Sequence, residues 1–381
     1  MRALFVLITV LAILACNEKQ TPIDPISETP SWAFPYFEKV DSLNPILKPS
    51  PDLVFTDPIT QTEVKWEARN VLNPTAIVKD GKVYLFYRAQ DSLGTSRIGM
   101  ATSTDGLHFE KAPTPVFFPN EDAMKVYEWN YKKALPLPHP EGDYFDGAED
   151  PRIVESEDGT YIMTYTSYDG KTARLSSASS KDLTHWTKHG LVLRDSIYRD
   201  TWSKAGAIVA EQQGHRMVAK KIDGKYWMYF GDTSLFLATS TNLQDWEIAI
   251  NEESKQRISV LHPRMGYFDS RLVEPGPYAL WRKDGIVLIY NASNAANFND
   301  PALPKFTYAA GQALFDAQHP YKLLDRTDSY FIYPDKPYEK VGEVNEVCFV
   351  EGLVYFNNQW LLYYGTADSK IAVAVYRPLI Q

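Results

Sequence analysis

Five times along the chain a polar motif runs into an apolar strand, a turn and a second strand rich in aromatics. Asn73-Pro74-Thr75 leads into AIVKDGKVYLFYRA, and Glu149-Asp150-Pro151-Arg152 into IVESEDGTYIMTYTS. Ser203-Lys204-Ala205 precedes GAIV and DGKYWMYFGD, Glu274-Pro275-Gly276-Pro277 precedes YALWRKDGIVLIYNAS, and Asn345-Glu346 precedes VCFVEGLVYFNNQWLLYYGTAD. Alternating apolar positions bounded by Asp-Gly or Asn-Asn pairs are hairpin signals, and the turns begin at Asp80, Asp158, Asp223, Asp284 and Asn357. In the first three copies a third strand and a signature of Ser, Asp or Asn and an aromatic follow: ATSTDGLHFEK, SASSKDLTHWTK and ATSTNLQDWEI. Steps of roughly 60–80 residues suit four strands plus loops per copy. The recurrence predicts an all-β chain, a five-bladed β-propeller, whose polar motifs open the innermost strands at the mouth of a central funnel. Asn73, Asp150, Lys204, Glu274 and Glu346 would then face one small volume.

The stretch from Val64 to Asn70 precedes the first copy and is expected to close the last one. Pro113 to Gly147, long, aromatic and acidic, and Asn294 to Phe315 read as insertions. They are expected to wall the funnel or to pack on the blade sides.

At the N-terminus, Arg2 precedes a short apolar run that ends in Ile13-Leu14-Ala15-Cys16. A brief h-region ending in small residues is an export signal rather than a span. The tetrapeptide resembles a bacterial lipobox, with Cys16 as the lipidated first residue. Residues 1–16 are read as a lipoprotein signal, 17–45 as a flexible tether and 46–381 as a single propeller domain. An exported bacterial lipoprotein on the outer membrane is expected, held to the membrane by that lipid alone. The other cysteine, Cys348, sits in an apolar run, so no disulfide is expected.

A net charge of −9 argues against nucleic acid, which needs clustered Lys and Arg. His185 and His189 lack neighbouring ligands at zinc spacing, and no phosphate-cradling loop or nucleophile elbow occurs. Neither metal nor cofactor is expected. Asp150, Glu274 and Glu346 are the candidate catalytic carboxylates: glycoside cleavage needs one to protonate the leaving oxygen and another to activate water. Aromatics nearby would stack on sugar rings.

Taken together the motifs resemble glycoside hydrolase family 130, the β-mannoside phosphorylases and β-mannosidases. The likeness rests on Asn73-Pro74, LFYRA from Leu85, SRIGMATSTDG from Ser96 and GAEDPRI from Gly147. It continues through AGQALFD from Ala310, YEKVGEVNEVCF from Tyr338 and YYGTADSKIAVA from Tyr363. It implies a five-bladed propeller acting on manno-oligosaccharides, with Asp150 as proton donor working through the mannosyl 3-hydroxyl. It also implies sugar contacts from Asn73 and Asp368, and orienting roles for Arg88 and Arg152. The His-Arg pair by which phosphorylase members hold phosphate is missing after Phe230, where Gly231-Asp232 stands. An acid there would repel a dianion, which needs cationic donors. Inverting hydrolysis of β-1,2-mannosides, with Glu274 or Glu346 as base, is therefore the reading, and phosphorolysis through Lys204 the alternative. Lys204 serves equally well as a partner for Glu274 or Glu346. An arabinofuranosidase or xylosidase and a non-catalytic sugar-binding lipoprotein are the further alternatives, and a homo-oligomer is left open.

Overall fold

The computed structural model describes residues 29–134 and 144–378. Cys16, the signal segment and the first part of the tether lie outside the described residues. Among the described residues the protein is all-β, with helix confined to single turns such as Lys125–Glu128 and Pro337–Lys340.

Among the described residues the long strands pair as antiparallel meanders that follow the sequence copies. The first runs Asn70–Lys79, Lys82–Gln90, Thr95–Ser103, Glu110–Lys111. The second runs Asp146–Glu155, Tyr161–Tyr168, Ala173–Ser180, Thr187–Leu191. In the third, Ala207–Gln213 meets Lys225–Phe230, then Leu235–Ser240 and Trp246–Ile248. In the fourth, Leu272–Pro275 and Ala279–Arg282 share Gly285–Ser293, followed by Tyr308–Phe315 and Leu323–Arg326. The fifth runs Cys348–Phe356, Gln359–Thr366, Lys370–Tyr376. The opening strands of the first, second and fifth are almost wholly buried, polar motifs included.

The predicted turns form as their residues require. Asp80-Gly81, Asp223-Gly224 and Asn357-Asn358 all take positive φ, the geometry of a two-residue hairpin turn matched to strand twist. The Ser signature closes the outer edge: Ser103, Ser180 and Ser240 each accept from the backbone N–H three residues on.

Three expectations are corrected. The fifth meander is completed by Glu38–Lys39, which pairs with Val375 and Ala374, whereas among the described residues Glu63–Val64 pairs only with Phe55–Thr56. The tether does not run to residue 45: Trp32, Phe34 and Phe37 are buried, and Phe34 exchanges two hydrogen bonds of 2.8 Å with Gln312. Prolines and acids there mask a few aromatics that bury enough surface to order the segment. The fourth insertion is confined to residues 294–307, because Tyr308–Phe315 is a regular strand of the meander. In the other insertion, Phe117 packs edge-on to Tyr165, and Glu128 accepts from the Tyr165 hydroxyl at 2.7 Å. Those residues pack on the flank of the second meander.

Candidate active site

The opening strands carry the site because they carry bulges. Pairing in the first strand skips between Leu72 and Thr75, and in the second between Glu149 and Arg152. Asn73 and Asp150 therefore fall out of alternation, at φ 49° and 50°. Asn and Asp tolerate this left-handed region better than most residues, and Pro74 and Pro151 occupy positions where no ladder N–H is needed. Ala205 and Glu346 hold the same conformation in the third and fifth copies. A further skip, between Val350 and Gly352, turns Glu351 out of its strand.

These bulges bring together most of the expected residues. Asn73 donates to Asp150 Oδ1 at 2.9 Å, and Arg88 reaches the same oxygen at 3.4 Å and Glu149 at 2.7 Å. Lys204 Nζ lies 3.1 Å from Glu274 and 3.5 Å from Asp150 Oδ2. Arg152 donates to the carbonyls of Gly276 and Pro275, both at 2.7 Å, and pairs with Glu351 at 2.8 Å. Oxygens of Asp150, Glu274 and Glu351 all lie within 4.8 Å of one another. Carboxylates so gathered could hold a cation by type, and the Lys204 ammonium and Arg152 guanidinium already stand among them.

Glu346 is placed differently. Its carbonyl accepts from the Tyr308 N–H, but no side-chain hydrogen bond or ion pair joins it to this cluster among the described residues. Sequence reasoning chose Glu346 in the fifth copy and missed Glu351, which is wholly buried in the cluster. The signal was present: a lone acid followed by glycine inside VCFVEGLVYF marks a strand interruption. Glu149 was visible too, within its own motif. Asp232 sits at the mouth, its Oδ2 accepting from the Trp202 indole N–H at 2.6 Å. Asp368, at φ 49°, faces the cluster near Arg88.

Electrostatics divide the acids. For Asp150, burial alone would raise the pKa, but Arg88, Lys204, the Asn73 hydrogen bond and Arg152 together hold it down at about 2. For Glu274 burial wins against Lys204 and Arg152, and its pKa is pushed up to about 7. Burial also raises Glu351 well above the carboxylate range, and takes Asp368 to about 6. Lys204 is held as an ammonium, because Glu274 and Asp150 outweigh the burial that would strip its proton.

Buried carboxylates clustered with arginines and a lysine are the groups that glycoside cleavage calls for. The family model described as β-1,4-mannooligosaccharide phosphorylase matches residues 38–378, and the chain belongs to glycoside hydrolase family 130. A 1,2-β-oligomannan phosphorylase of Thermoanaerobacter sp. (strain X514) is 29% identical, over 83% of this chain and 92% of its own. A solved glycosyl hydrolase from Bacteroides ovatus is 41% identical with a TM-score of 0.85, covering 92% of this chain and 96% of that one. Another structure matches equally well, at 41% identity and a TM-score of 0.86 over the same shares of the two chains. It is described with members of the family that are glycoside hydrolases targeting β-1,2 mannosidic linkages in Candida mannan. The chain is thus an enzyme of a mannoside-active family.

Proposed function

We propose that the chain is a five-bladed propeller enzyme that hydrolyses β-1,2-linked manno-oligosaccharides by single displacement with inversion. The observation that carries the choice of water over phosphate is the charge balance of the site. Arg88 and Lys204 already stand within ion-pair distance of Asp150, Arg152 is spent on Glu351 and two backbone carbonyls, and Asp232 and Asp368 add further acids. A phosphate dianion entering there would have to compete for every cation it needs. The hydrolase descriptions attached to structures 41% identical support the same reading.

The separation of the acids shapes the mechanism. Direct inverting catalysis needs an acid and a base roughly 6.5–9.5 Å apart, with a water between base and sugar. Asp150 and Glu274 are closer than that. We therefore assign Asp150 to protonation of the leaving oxygen by way of a sugar hydroxyl, in line with the family's 3-hydroxyl relay. Glu346, outside the ion-pair cluster beside Tyr308, is assigned as the base. Glu274 and Glu351 hold the proton that Asp150 receives once substrate displaces solvent, and Lys204, between Asp150 and Glu274, stabilises whichever of the two is ionised.

Phosphorolysis is the second reading, and by name the curated relatives and the family model favour it over hydrolysis. Lys204, partly open to the mouth, is the residue that could serve it. Incubation with β-1,2-mannobiose, with and without inorganic phosphate, separates the two by proton NMR. Free mannose in both samples, first as the α-anomer, is expected. Mannose 1-phosphate formed only with phosphate would establish phosphorolysis instead.

A further inference from the structure

Glu351 holds its place in the cluster through its backbone more than through its own contacts. Among the described residues its side chain has one hydrogen-bond partner, Arg152 at 2.8 Å, and its other oxygen, Oε2, is buried without any. What turns it out of its strand is the skip in pairing between Val350 and Gly352. A bulge interrupts the ladder locally, so the backbone groups beside it need other partners to stay in one conformation.

Asn291 supplies those partners. Its side-chain carbonyl accepts from the Val350 N–H at 2.7 Å, and its side-chain NH2 donates to the Val350 carbonyl at 2.9 Å. The amide thus takes the part of a neighbouring strand, satisfying both backbone groups of the residue before Glu351. Asn291 is wholly buried within Gly285–Ser293, an unfavourable position for an amide left without partners. It also stands directly across the ladder from Glu274. Gly276 leaves room for the contact, since a Cβ there would lie 3.0 Å from the Val350 carbonyl oxygen. Between the second and third copies a single bond does similar work, from the Thr164 hydroxyl to the Gly206 carbonyl at 2.6 Å.

We propose that Asn291 is a positioning residue of the active site, which ties the fifth copy's bulge to the strand opposite Glu274 and so fixes Glu351 against Arg152. Arg152 has two acids in reach, Glu351 at 2.8 Å and Glu274 at 3.9 Å. With Glu351 in place the guanidinium is engaged there and on the carbonyls of Pro275 and Gly276, and Glu274 is left to Lys204 at 3.1 Å. With the bulge released, Arg152 would pass to Glu274 and disturb the contacts that Lys204 makes with Glu274 and Asp150. Asn291 therefore acts on the chemistry only through Glu351. The inference rests on the catalytic reading of the cluster given above.

A double-mutant cycle tests it. kcat and KM on β-1,2-mannobiose, with inorganic phosphate present, are compared for the parent, Asn291→Ala, Glu351→Gln and the two changes together. Asn291→Ala is expected to lower kcat about tenfold with KM within about twofold of the parent, the mark of misplaced catalytic groups rather than lost binding. In the Glu351→Gln background it is expected to cause no further loss, because the two changes break the same link. A full loss in both backgrounds overturns the proposal, since a seam that merely stabilises the fold acts without Glu351. Unchanged kcat in Asn291→Ala overturns it as well. If Asn291→Ala does not fold, Asn291→Thr, whose hydroxyl can keep one of the two bonds, takes its place in the cycle with the same outcomes. Absence of turnover by the parent overturns the mannoside reading alone. Positioning is then read from a crystal structure of the variant: Glu351 out of hydrogen-bond reach of Arg152 upholds it, and Glu351 unmoved overturns it.

Discussion

Asp150 is the residue on which most of the site converges: Asn73, Arg88 and Lys204 all address its two oxygens. Three groups set around one carboxylate do more than pin a strand, because Pro151 and the bulge already fix the backbone there. Asp150→Asn should lower kcat on β-1,2-mannobiose at least about a thousandfold, the scale on which proton-transfer groups act. Its thermal midpoint should stay within a few degrees of the parent, since the amide keeps the Asn73 contact. Near-parental turnover would sink the assignment. Glu346→Gln should show a comparable loss, restored in part by azide, a small nucleophile needing no base. Rescue of Glu274→Gln but not Glu346→Gln would exchange the roles of the two glutamates.

Among the elements, the short strand Glu38–Lys39 has an effect out of proportion to its length. It completes the last meander with residues from the opposite end of the chain, and Phe34 and Phe37 fill the seam behind it. Phe37 is wholly buried against Phe34, Phe331 and Tyr376. Phe37→Ala should cost about 3–5 kcal/mol, the usual range for deleting a buried aromatic. Urea unfolding measures it, and a loss below about 1 kcal/mol would show that the seam does not hold the ends together. The hairpins were legible because an Asp-Gly or Asn-Asn turn is a local decision, taken by the residues that tolerate positive φ. The closing strand was not legible, because two residues of ordinary composition carry no pattern and their partner lies more than 300 positions away.

At the scale of the whole molecule, the site sets a stability against pH that the rest of the fold must carry. The folded pKa values of Glu274, about 7, and of Asp368, about 6, exceed their ordinary values of 4.5 and 3.8. Such groups favour the folded state most when both states are protonated, and that contribution is lost as pH rises through the folded value. Asp150 has the opposite sign, and its contribution disappears only as pH falls from 3.8 toward 2. Between about pH 4.5 and 7 the raised acids therefore make stability decline with pH, and Glu274→Gln should make that decline shallower in urea titrations. Identical slopes would mean that Glu274 titrates as an ordinary carboxylate. Short-range pattern alone carried the strands, from alternation, the turns, from Asp, Asn and Gly, and the convergence of Asn73, Asp150, Lys204 and Glu274, from a repeat that returns each to an equivalent place. Folding in three dimensions was needed to bring Glu351 rather than Glu346 into the ion-pair cluster, to seat Trp32 to Lys39 in the body, and to push the buried acids' affinities for protons apart. Those outcomes depend on a bulge, on long-range burial and on the summed field of neighbouring charges, and each comes from atoms brought near one another only by folding.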